Sequence, residues 1–126
     1  MKNNNQVWED LIFSILAVYN CSLETAFKHK EALEKQGLLD VQNLAKLDSN
    51  EIVVKLSQSW PERGGLNNIF ADRLESLGQF ISKKDLKSIE KILKSTNKSE
   101  IRAELIPIKG IGEKVLSNYF ELREIK

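Results

Sequence analysis

The chain has one cysteine, one histidine and two prolines in 126 residues. Cys21 has no second thiol within the chain to pair with, which excludes an internal disulfide. With His29 as the sole imidazole, the ligands of a structural zinc or iron–sulfur centre are missing as well. No apolar run approaches the roughly 20 residues that a bilayer span needs, so the chain reads as soluble. The longest apolar stretch, Leu11 to Val18, is preceded by Glu9 and Asp10 rather than by cations. That is a poor secretory leader and leaves the cytoplasm as the expected compartment. Strand signals are also scarce: Ile52-Val53-Val54 is the one β-branched run, and it does not alternate with polar residues.

What is present is ordinary for a globular domain, with 41% apolar and 29% charged residues. A chain of this length forms one domain and buries roughly two-thirds of the surface its unfolded form exposes. Apolar residues recur at helical spacing almost throughout. Gln6 to Asn20 predicts a buried helix. Ser22 is placed to cap a second, running to Gln36 and closed by Gly37. A short helix over Val41–Leu47 follows, then one whose start carries the capping-box pair Asp48 and Glu51. Trp60-Pro61-Glu62-Arg63-Gly64-Gly65 forms the main loop. Asn67 or Asn68 is placed to cap a helix reaching about Ser82, and Lys84 to Lys94 is amphipathic. Asn97 or Ser99 caps a helix over Ile101 to Leu105, and a last helix starts near Glu113. The expected fold is a single all-α domain of about seven or eight helices, with no internal repeat.

Net charge is +1 for the whole chain, but it is unevenly divided. Residues 1–81 carry −3 and residues 82–126 carry +4. The positive half suits a polyanion, and it equally suits a solvated helix face.

Within that half, Pro107, Gly110 and Gly112 interrupt the helical pattern just before the last helix. Glycine tolerates positive φ and close approach of another backbone. The amides of such a turn, with the free amides of a helix start behind them, make an anion site suited to phosphate. Backbone donors grip phosphate without reading bases. On spacing alone, the same two glycines also suit a tight corner between helices.

Ile108-Gly110-Ile111-Gly112 with Lys114 resembles the hairpin of helix-hairpin-helix DNA-binding proteins. More narrowly, "IKGIGEKVLSNYF" is similar to the hairpin of the DNA glycosylase superfamily that contains endonuclease III and the 8-oxoguanine glycosylases. "EDLIFSILAVYNCSLETAF" and "GLNNIFADRLESLGQFI" resemble the early helix and the post-turn helix of that family. The resemblance implies DNA as partner, contacted by Lys109, Gly110, Ile111, Gly112 and Lys114, with Arg63 added from the Gly-rich loop. No cofactor is expected beyond a cation at the hairpin. The resemblance implies a monovalent cation held by the carbonyls of Ile106, Ile108 and Ile111. Lys114 falls where bifunctional members place the lysine that attacks deoxyribose C1′, although a lysine in a generic hairpin simply meets phosphate or water. Tyr19 and Asn20 fall where glycosylases place a side chain that fills the gap left by an extruded base; core packing or capping is the plainer role for both.

The chain also departs from that family. Its catalytic aspartate lies farther past the lysine than the 12 residues that follow Lys114, none of which is Asp. Glu121 and Glu124 fall on the helix of Lys114 and do not replace it. A second subdomain that walls the base pocket has no counterpart here, and Leu116 stands where alanine is usual. The sequence therefore implies a truncated glycosylase relative that holds the DNA backbone non-specifically. Two alternatives remain: an active glycosylase or abasic-site lyase completed by a partner subunit, and a protein-interaction subunit. Trp8 and Trp60 are expected to anchor core and loop, Cys21 to be a small buried residue, and His29 to be solvated between two lysines.

Overall fold

Short polar side chains ahead of apolar runs decide where helices begin, because they accept hydrogen bonds from the amides that a first turn leaves unpaired. The structure, a computed structural model, describes residues 4–19 and 21–125. Among the described residues there are nine α-helices in the order α1 Asn4–Leu16, α2 Leu23–Phe27, α3 Lys30–Lys35, α4 Val41–Leu44, α5 Ser49–Ser59, α6 Leu66–Ser82, α7 Leu86–Lys94, α8 Lys98–Leu105 and α9 Glu113–Leu122. The 3-10 turn Pro61–Arg63 joins α5 to α6, and the described residues form no strand. The fold is all-α and forms one helical body, as the sequence predicts.

Several caps fall where the sequence places them. Ser22 Oγ accepts from Thr25 N at 3.1 Å. Asp48 and Glu51 close a reciprocal capping box at 2.9 and 3.1 Å. Asn97 Oδ1 accepts from Glu100 N at 3.1 Å, so α8 starts at Lys98 rather than Ile101. Gly37 ends α3, its amide bonded to Glu34 O while Leu38 N reaches back to Leu33 O.

Other expectations are corrected by contacts between distant segments. The segment after Ser22 is two helices, because Lys28 and His29 make tighter bonds to Thr25 and Ala26 that interrupt the helix. His29 is not a solvated residue: its ring stacks on Trp60 at 4.0 Å and 13°. Neither Asn67 nor Asn68 caps α6, which starts after Gly65. Asn67 turns inward instead and donates to Trp60 O at 3.0 Å. The helix predicted to reach Asn20 ends at Leu16, and α4 stops at Leu44 rather than Leu47. Asn20 lies outside the described residues. Cys21 is half-buried against the core rather than fully enclosed.

Helix α1 runs through the middle of the core, with Leu11, Ile12 and Leu16 fully enclosed, and packs on α9. Polar links fix that pair. Asn118 Nδ2 of α9 donates to Ser14 O and Ala17 O at 3.1 and 2.9 Å. Arg123 pairs with the buried Asp10 at 3.0 Å. Tyr119 is enclosed and donates its hydroxyl to Leu93 O at 2.9 Å; burial pushes its phenol far above the ordinary range. On the other side, α6 packs against α4 and α5. Gly78 makes the first of these contacts possible, since a Cβ there would stand 2.7 Å from Leu44 C and O. The end of α1, the middle of α6 and the start of α9 thereby meet in one place.

Candidate nucleic-acid interface

Two consecutive tight turns carry the chain from α8 to α9. Ile108 N donates to Leu105 O at 2.9 Å and Ile111 N to Ile108 O at 3.1 Å. Ile108 and Ile111 are both buried and pin the turn to the core, while Ile106 is 42% exposed. Gly110 adopts φ +93, a left-handed conformation that costs an ordinary L-residue about 1–2 kcal/mol. Gly112 precedes α9 in extended conformation, and no side chain caps the first turn of that helix.

The amides therefore divide into two groups. Ile111 N–H is engaged by the turn's own carbonyl and is not a donor to anything outside. The amides of Lys109, Gly110 and Gly112 have no acceptor among the described residues. Gly112 is exposed and Gly110 half-exposed, so solvent reaches this turn at the positive end of α9. The carbonyls of Ile106 and Ile111 accept no hydrogen bond from a described residue, and that of Ile108 accepts one. Each carbonyl has two lone pairs, so all three retain capacity for a cation.

A pocket of about 360 Å³ opens beside the turn. Ile15, Val18, Phe70 and Val115 give it apolar walls, and Gly110, Gly112, Glu113, Lys114, Arg73 and Tyr19 complete it. Lys114 is exposed and forms no ion pair with a described residue. Glu113, the one carboxylate among the described residues of the lining, is held by Arg102. Lys109 pairs with Asp72 at 2.8 Å, both side chains remaining largely solvated, so a polyanion competes with a weak contact there. Tyr19 stands on the rim, 51% exposed at φ +60, its ring edge-on to Phe70 with centroids 5.9 Å apart.

Arg63 is placed differently from the sequence expectation. Its guanidinium points into the protein, donating to Leu16 O at 2.6 Å and Val18 O at 3.0 Å. It lies between the rings of Trp60 and Phe70, 4.3 and 3.9 Å from their centroids. It closes the C-terminal end of α1 and does not line the pocket. Burial pushes the neighbouring Cys21 thiol above its usual value, and the Arg63 charge partly offsets this.

Arg73 lines the pocket and was not singled out in the sequence. The available signal was weak: it lies three residues after Phe70, at the edge of the Phe70-Leu74-Leu77-Ile81 stripe, where a charge borders an apolar face. No family model matches this chain, and no curated protein or solved structure does either.

Proposed function

We propose that this protein binds DNA by its sugar–phosphate backbone, without reading sequence, and that the segment from α8 to α9 works as a helix-hairpin-helix. The observation that carries this reading is the pair of amides at Gly110 and Gly112, without an acceptor among the described residues and lining one pocket with Lys114 at an uncapped helix start. Phosphate oxygens accept from such donors and are drawn by the helix dipole. A monovalent cation on the Ile106, Ile108 and Ile111 carbonyls would add positive charge under the same phosphate. On this reading the chain is a cytoplasmic relative of base-excision-repair glycosylases that has kept their grip on DNA.

Lys114 also favours a second reading, as a nucleophile on abasic DNA, because it reaches the pocket unpaired. Among the described residues that line the pocket, the only carboxylate is Glu113, already engaged by Arg102, so binding without independent catalysis is the better-supported of the two.

Titration of the protein into labelled duplex DNA at several salt concentrations tests the proposal. Each neutralised phosphate contributes about −0.9 to the slope of log affinity against log salt, so a grip by two or more cations predicts about −2 or steeper. Absence of binding at 50 mM salt would refute it and favour an interaction subunit. Borohydride treatment on abasic-site DNA then separates the two readings. Binding alone leaves no covalent adduct, whereas an adduct lost in Lys114→Ala assigns the lyase.

A further inference from the structure

Arg73 rises from the middle of α6 and borders the same pocket as Lys114 and the two glycine amides. Its stem and guanidinium lie against Gly110, where a Cβ would collide with Cδ and Nη1. Gly110 thus serves two ends, supplying the left-handed turn and leaving the space that Arg73 occupies. Arg73 makes no hydrogen bond and no ion pair with any described residue. The nearby acids are committed elsewhere, Asp72 to Lys109 and Glu113 to Arg102. A half-buried arginine in a pocket that Phe70 and Val18 also line, with no counter-ion among the described residues, offers a charge to an anion. Its planar fork matches two oxygens of one phosphate, a fit that an ammonium lacks.

We propose that Arg73 binds a second phosphodiester of the strand held at the Gly110 and Gly112 amides, so that the pocket grips two neighbouring phosphates. This inference rests on the DNA-binding reading above. It makes α6 part of the interface and explains why the pocket holds a guanidinium that the protein itself leaves unpaired.

The test compares the salt dependence of duplex binding for wild type, Arg73→Gln, Arg73→Lys and, as a remote control, Lys46→Gln, with thermal melts to establish that each folds. Arg73→Gln is expected to flatten the log–log slope by about 0.9, so that its affinity deficit narrows about 3.5-fold between 50 and 200 mM salt. Arg73→Lys is expected to keep the slope and bind more weakly, since charge survives and the fork does not. Lys46→Gln is expected to leave the slope unchanged. A wild-type slope in Arg73→Gln, or an equal loss in Lys46→Gln, overturns the role of Arg73 while leaving the hairpin reading intact. Failure of the wild type to bind DNA at 50 mM salt overturns both.

Discussion

Gly112→Ala is expected to fold and melt within about 1 kcal/mol of the wild type, yet to bind duplex DNA roughly ten- to a hundredfold more weakly. The two halves of that expectation have separate causes. Gly112 has φ −121, which alanine adopts, and a Cβ there meets nothing within 4 Å. Alanine restricts the unfolded chain, contributing about 0.4–1 kcal/mol to stability, and is a poorer residue than glycine ahead of a helix by a similar amount. These effects nearly cancel. The open space that makes the substitution harmless to the fold is where a phosphate would approach the amide. A methyl group there lengthens a hydrogen bond to a charged acceptor, a class worth about 1.5–3 kcal/mol. If the glycine is only part of a tight corner, affinity stays at the wild-type value.

Arg63→Ala is expected to produce the largest loss of stability at the site, about 3 kcal/mol, seen as a fall of roughly 10 °C or more in melting temperature. The side chain donates to Leu16 O and Val18 O and fills the gap between Trp60 and Phe70. Its removal leaves two carbonyls at the end of α1 without donors and opens a space beside two aromatic rings. Arg63→Lys is expected to recover less than half of the loss, because an ammonium cannot fork to both carbonyls while lying flat on a ring. The effect on DNA is expected to be indirect, through the turn that carries Tyr19. Equal melting temperatures for wild type and Arg63→Ala would show that α1 ends securely without it.

Which features were readable from the sequence follows from how far apart the interacting residues lie. Ser22, Asp48 with Glu51, Gly37 and Asn97 act on amides or carbonyls within a few residues of themselves, and each behaves as its local pattern implies. The break at Lys28–His29 was not readable, because His29 is drawn to Trp60 from a different helix. Nor was the end of α1, whose last carbonyls are taken by Asn118 from α9 and Arg63 from the loop. Within the site, the glycine spacing pointed to free amides, and Gly110 and Gly112 have them, whereas Ile111 closes its own turn. Pairing of charges was invisible: Lys109 of the turn meets Asp72 of α6 and Arg102 of α8 meets Glu113 of α9, which leaves Arg73 and Lys114 as pocket cations without an ion pair to a described residue.

The most direct measurement is amide-resolved NMR of the labelled protein titrated with a short DNA duplex at low salt. The amide protons of Gly110 and Gly112 are predicted to shift strongly downfield and to gain protection from exchange, while that of Ile111, already bonded to Ile108 O, changes little. Unmoved Gly110 and Gly112 resonances in protein that demonstrably binds the duplex would contradict the account, because the strand would then be held elsewhere.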